Sequence, residues 1–153
     1  MSQPNEWKAT LEAGAPEADI GHKVALAVEL LLQRDAALLI RDVNERAITG
    51  RLADYLRPHF PGWDVDCEYN RDDHVVKRID GRAVVPDIIV HRRGLRENLL
   101  AIEVKKSNTR EDDDEDIQKL NAFRDSHLHY QCGLFLKFLV GEGAPGIMRF
   151  EWI

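Results

Sequence analysis

Apolar residues recur at intervals of three and four between Glu17 and Gln33, where Ile20, Val24, Val28, Leu31 and Leu32 share one side of a helical projection. Such spacing predicts an amphipathic helix. A second helix is expected from about Val43 or Asn44 to Arg57, with Asn44 placed to cap it and Pro58 and Pro61 closing it. After Pro61-Gly62 the period drops to two. Trp63, Val65, Cys67 and Tyr69 alternate with Asp64, Asp66 and Glu68, which predicts a strand with one wet face.

A polar segment from Asn70 to Asp73 leads to Val75-Val76 and then to Asp80-Gly81, a turn dipeptide suited to a hairpin. Val84 to His91 and Leu99 to Lys105 are two further strands, joined by a basic loop around Gly94. A helix follows from about Asp113 to Arg124, with Ile117, Leu120 and Phe123 as its apolar stripe and acids in its first turn to complement the helix dipole. Gln131 to Val140 is nearly continuous in apolar residues and reads as a central strand. Gly141 to Gly146 makes a turn, and Ile147 to Ile153 a last edge strand.

The resulting expectation is one α/β (α+β) domain, a mixed sheet flanked by helices. Residues 1–16 would be a polar lead-in, 17–41 an N-terminal helical extension, 43–140 the core, and 141–153 the turn and edge strand. A length of 153 residues suits a single core. The two cysteines, Cys67 and Cys132, each fall in an apolar strand-like run and read as buried thiols rather than a disulfide framework. No apolar run reaches the ~20 residues of a membrane span, and the start of the chain lacks a signal-like pattern, so a cytoplasmic protein with no membrane partner is expected.

The formal charge of −6 is at first sight wrong for a protein that meets phosphate. Its distribution alters that view. Six acids stand consecutively from Glu111 to Asp116, and without them the remaining 21 acids balance the 21 Lys and Arg. Bases cluster at Lys77-Arg78, Arg82, Arg92-Arg93, Arg96 and Lys105-Lys106.

Charged residues also occur where the pattern predicts a buried or half-buried face. Alternation sets Asp87 with Val85 and Ile89, and it sets Glu103 and Lys105 with Leu99 and Ala101 on the next strand. An ionised carboxylate in an apolar setting is costly unless it is paired or binds a metal, so two acids and a lysine on adjacent strands point to compensation around a cation. Two carboxylates suit a hard divalent ion, Mg2+ with Mn2+ as substitute. A lysine beside such a centre can orient a water or stabilise developing negative charge.

Pro86-Asp87, fifteen intervening residues, and then Glu103-Val104-Lys105 resemble the PD-(D/E)XK motif of the restriction-endonuclease-like superfamily. The resemblance covers the element order from Asn44 to about Val140, which is similar to that superfamily's αβββαβ core. It implies metal ligation by Asp87, Glu103 and the Val104 carbonyl, with Lys105 as the catalytic lysine. It also implies a glutamate on the first core helix, which Glu45 matches and for which Glu29 is a weaker rival. Gln131 and Lys119 resemble polar residues that some relatives contribute beside the metal. The activity implied is hydrolysis of DNA, before RNA, by a metal-activated water. His91, Arg92, Arg93, Arg96 and Lys106 are then candidate phosphate contacts, and a homodimer would supply two sites for a duplex.

Other readings compete. Asp87 and Glu103 could instead be strand-end carboxylates salt-bridged to Lys105 and Lys106. Small size, acidic balance and the absence of a recognisable target-recognition domain would suit a catalytically silent nuclease-like module that binds a protein or nucleic acid in a larger nucleic-acid or defence assembly. A plain structural or immunity-type interaction protein would need those carboxylates at the surface. His127, His129 and Cys132 lack a fourth ligand and finger spacing. The glycines at 141, 143 and 146 lack the Lys-Ser or Lys-Thr of a phosphate loop. Trp7, Trp63 and Trp152 are too scattered for a stacking platform, and the acidic run reads most simply as a solvated helix start, with repulsion of a wrong partner or autoinhibition as the alternatives.

Overall fold

The computed structural model describes residues 6–67, 86–95, 97–125 and 129–153, and the backbone alone of 78–79 and 82–83. Four helices come first: α1 (Glu6–Gly14), α2 (Ala18–Arg34), α3 (Ala36–Ile40) and α4 (Glu45–Leu56). Strand β1 (Asp64–Cys67), the short pair β2 (Arg78–Ile79) and β3 (Arg82–Ala83), β4 (Ile88–Arg92) and β5 (Glu97–Lys106) follow. Helix α5 (Asp113–Asp125), β6 (Cys132–Leu139) and β7 (Gly146–Trp152) complete the order.

The main sheet has the order β1-β4-β5-β6-β7. Only β5 and β6 run parallel; the other neighbours are antiparallel, so the sheet is mixed and the fold is α+β. Parallel neighbours need a long crossover, and α5 is that connection. β2 and β3 pair separately, Arg78 with Ala83 and Ile79 with Arg82, on either side of Asp80-Gly81. That turn lies outside the described residues, as do Val75-Val76 and Val84-Val85.

Helical periodicity becomes burial where it meets the sheet. On α2, Ile20, Val24, Val28 and Leu31 are buried, and on α4 Ile48, Leu52 and Leu56. These stripes pack with Ile88, Val90, Leu100, Ile102, Val104, Leu134, Leu136 and Phe138 on one side of the sheet. Asn44 caps α4, its side chain accepting from the Ala47 N–H at 2.8 Å. The opposite side carries a smaller cluster of Ala101, Leu120, Phe123, Tyr130 and Phe135 beneath α5. Gly133 lies under α5, where an added Cβ would just touch the Leu120 side chain at 3.4 Å. With both sides covered, β5 is buried without interruption from Leu99 to Lys105, and a purely alternating pattern disappears.

The N-terminal region departs from expectation. Residues 6–14, read from the sequence as part of a polar lead-in, form α1, and its Leu11 is 1% exposed. A Cβ on Gly21 of α2 would come within 2.6 Å of the Ala15 side chain and 2.9 Å of the Glu12 carbonyl, so this glycine is what lets the chain end of α1 approach α2. Trp152 Nε1 on β7 donates to the Leu11 carbonyl at 2.9 Å. Glu29 faces this helix pair and makes an ion pair with Lys8 at 3.2 Å. Cys67 and Cys132 are buried free thiols, and burial pushes the Cys132 thiol up to about 12. Among the described residues no helix is long and apolar enough to cross a membrane.

Docking of α1 has a direct test. Leu11→Ala removes a fully buried side chain and is expected to cost about 2–4 kcal/mol of unfolding free energy, read from the urea midpoint at constant slope. A loss under about 0.5 kcal/mol, the range of surface substitutions, would mean that α1 is not part of the packed core.

Candidate functional site

Asp87 stands immediately before β4. The β4–β5 ladder pairs Ile88 with Ile102 and Ile89 with Ala101, so one further step sets Asp87 beside Glu103 on the side covered by α5. Asp87 Oδ2 accepts from the Val104 N–H at 2.7 Å, holding the carboxylate against β5. In an extended strand the N–H and C=O of one residue point to the same neighbour, as the paired exchange of an antiparallel ladder requires. The Val104 carbonyl therefore also faces the β4 side.

Glu103 is 3% exposed. Lys119 Nζ, one and a half turns into α5, makes an ion pair with its Oε1 at 2.9 Å. Burial, and then the charge of Asp87, hold the Glu103 carboxyl well above the usual carboxylate range despite that ion pair. Glu45, in the first turn of α4, is raised in the same direction, by burial first and then by Asp87 and Glu111. The Lys106 backbone N–H opposes that rise and ties Glu45 to the end of β5. Asp116 on α5 adds its field to both Glu45 and Glu103. Negative charge from Asp87 and Asp116 thus adds to burial in opposing the ionisation of Glu45 and Glu103, an electrostatic condition that favours a cation.

Lys105 lies on the same side of the sheet as Glu103 but reaches toward α5. Its Nζ is 2.7 Å from Asp116, 3.2 Å from the Asp112 carbonyl and 4.0 Å from Glu111. Burial works to lower its pKa, and these acids outweigh burial and raise it. Lys119 is raised in the same way, burial being outweighed by Glu103, Asp87 and Asp116. The ammonium nearest the Glu103 carboxylate is therefore Lys119, which the sequence offered only as a secondary residue.

The expected phosphate contacts divide. His91, Arg92 and Arg93 leave β4 at the end opposite Asp87, about 13 Å along the strand. His91 is buried, with Nε2 2.6 Å from Asp66 Oδ2. Arg93 also pairs with Asp66 and hydrogen-bonds Asp64 through its backbone. Burial works to raise the Asp66 pKa, but Arg93 and His91 together take it down to about 2. Arg92 pairs with Glu97, donates to the Gly62 carbonyl and lies 4.1 Å over the Trp63 ring. These three residues are engaged in holding β1, β4 and their loop together, at the far end from the acids. Arg96 lies outside the described residues. Lys106 is at the right end but pairs with Asp42 at 2.9 Å and the Val43 carbonyl at 3.3 Å.

Gln131 is also displaced. Glu103 pairs with Phe135, so Gln131 lies four residues back along that strand direction, about 13 Å away, exposed and bonded through its N–H to the Asn98 carbonyl. Glu29, committed to Lys8, is not at the site. His129 is exposed, and Cys132 donates to the Leu99 carbonyl at 3.5 Å. His127 is outside the described residues.

Sequence reasoning missed Asp116. Asp113, Asp116, Leu120 and Phe123 follow a three, four, three spacing, so the two acids continue the apolar stripe of α5 toward its N-terminus and face the sheet. That spacing was the available signal.

The chain matches no protein-family model, no curated protein and no solved structure. Among the described residues no three His, Cys, Asp or Glu side chains are gathered closely enough to hold a metal ion as they stand. The donor chemistry still suits a hard cation. Glu103 Oε1 is buried with the Lys119 ammonium 2.9 Å away, and burial, Asp87 and Asp116 together raise the carboxyl pKa.

A raised carboxyl pKa has a definite sign in stability. The folded state holds the Glu103 proton above the ordinary value of 4.5, so stability falls as pH rises from 4.5 toward the folded-state value. Glu103→Gln is expected to raise the thermal midpoint at pH 7 relative to wild type, with the difference shrinking toward pH 4. A lower midpoint at pH 7 would show that the ionised carboxylate is stabilising in the free protein.

Proposed function

We propose that this chain is a metal-dependent nuclease of the PD-(D/E)XK class, hydrolysing phosphodiester bonds of DNA in preference to RNA. The observation that carries the reading is the juxtaposition of Asp87 and Glu103 on neighbouring strands, with Glu103 buried and its carboxyl pKa raised by burial and by the charge of Asp87. The element order from α4 through β1, β4, β5 and α5 to β6, with β5 and β6 parallel, supports it. Asp87, Glu103, Glu45 and the Val104 carbonyl are the groups that would hold Mg2+ or Mn2+, which when bound supplies Lewis acidity and an acidified water.

The chain's own residues divide the remaining work. Lys119 compensates Glu103 and is the cation best placed to stabilise negative charge beside it. Lys105, the lysine of the motif, is held by Asp116 and the Asp112 carbonyl and supports α5 in this state. Glu45 and Asp87 enclose the site from α4 and the start of β4.

A second reading is favoured by one observation: Lys119 with Glu103 and Lys105 with Asp116 make paired charges that compensate one another without a metal. A catalytically silent module would keep such pairs for specificity of packing.

Two measurements separate these readings. Calorimetry with Mn2+ is expected to give a binding isotherm for wild type that Glu103→Gln and Asp87→Ala abolish; a flat wild-type titration favours the silent module. In a cleavage assay with Mg2+ or Mn2+ on single-stranded and duplex DNA and on RNA, Asp87→Ala is expected to be inactive. Lys119→Met is expected to lose about a hundredfold in rate at saturating metal. Equal background from wild type and Asp87→Ala on every substrate would remove the nuclease proposal.

A further inference from the structure

Three cations stand in one cross-strand row beside the acids. The β5–β6 ladder pairs Lys105 with Lys137, and the β6–β7 ladder pairs Lys137 with Arg149. Like charges opposite one another on neighbouring strands destabilise a sheet, so such a row needs an anion against it. Helix α5 supplies one. Asp116 meets Lys105 at 2.7 Å, and Asp113 meets Lys137 at 3.0 and 3.3 Å and Arg149 at 2.9 Å. Asp113 is held below the usual carboxylate range, Lys137 and Arg149 outweighing the opposing effect of burial. The neighbouring acids Asp114 and Glu115 are exposed.

The row has the dimensions of a stretch of nucleic-acid backbone. Three adjacent strands set its outer members about 10 Å apart, a length that matches about three nucleotides of axial rise at ~3.4 Å each. It begins at Lys105, two residues from Glu103, and ends at Arg149 on the edge strand. The Arg149 side chain is 44% exposed; it also pairs with Glu151 at 3.2 Å and lies 5.7 Å over the Phe135 ring. The N-terminus of α5, with its positive dipole end, lies over the same place.

We propose that Lys105, Lys137 and Arg149 form a phosphate-binding row for a nucleic-acid strand, and that Asp113 and Asp116 occupy it in the free protein as an internal stand-in for the polyanion. The class of ligand rests on the nuclease reading; the row itself rests on register and ion pairs. Binding exchanges the Asp113 carboxylate for phosphate oxygens on Lys137 and Arg149, starting from the exposed Arg149 end. The acidic run thereby sets a threshold that only a polyanion offering several charges at once can cross.

The experiment is fluorescence anisotropy of the full chain with fluorescein-labelled 20-nucleotide single-stranded and duplex DNA, in EDTA. Cleavage and metal binding are then excluded, so a failed nuclease assay and a failed row give different results. Asp113→Asn is expected to tighten binding about threefold or more. Arg149→Gln is expected to weaken it and to reduce the salt slope by about one, and the double variant is expected to lose the gain. Unchanged or weaker binding by a folded Asp113→Asn overturns the proposal, as does an absence of binding by both wild type and Asp113→Asn. Should Asp113→Asn fail to fold, Arg149→Gln decides alone: its side chain is half exposed, and an unchanged affinity and salt slope would overturn the row.

Discussion

The burial of the Glu103 carboxylate beneath α5 sets the terms for everything around it. A charge in the middle of a sheet is costly unless an opposite charge or a metal answers it. Lys119 answers in part, and Asp87 and Asp116 work against it. The location follows from topology. Because β5 and β6 are parallel, their connection must return along the sheet, and α5 packs on β6 and on the strand that carries Glu103 and Lys105. Closing the sheet and covering the carboxylate are one event.

Charge in this molecule is arranged at two ends of the same strands. At one end Asp66, His91 and Arg93 form a compact network joining β1 to the β4 hairpin, with the Asp66 pKa driven down. At the other end Glu45 and Glu103 are driven up by burial and by like charge. The first network stabilises above the unfolded carboxylate value of 3.8 and loses that contribution as pH falls toward about 2. The second does the opposite: its contribution is present below the ordinary carboxylate value and is lost as pH rises.

Much of the fold was legible in the sequence, because apolar period is a local property. The stripes of α2, α4 and α5, the alternation of β1 and the continuous run of β6 each declared their element. The helix α1 did not, since Trp7 and Leu11 are its main apolar contacts and its helical state depends on docking to α2 and β7. Within the site, Asp87 and Glu103 were legible as charges on adjacent strands. The fate of the arginines was not: Arg92 and Arg93 read as free bases, yet Arg92 pairs with Glu97 and Arg93 with Asp66, and Asp66 is brought there by a strand pairing that no local pattern encodes. The acidic run was legible as a helix start, while its inward-facing members showed only through their spacing relative to Leu120 and Phe123.

The hydrogen bond from Trp152 to the Leu11 carbonyl joins α1 to the last strand, and a Cβ added at Gly14 would come within 3.2 Å of the same indole. Positions far apart in the chain thus share one clasp. Trimming residues from either side would loosen the other, and β7, which carries Arg149, would lose its outer support together with the first helix.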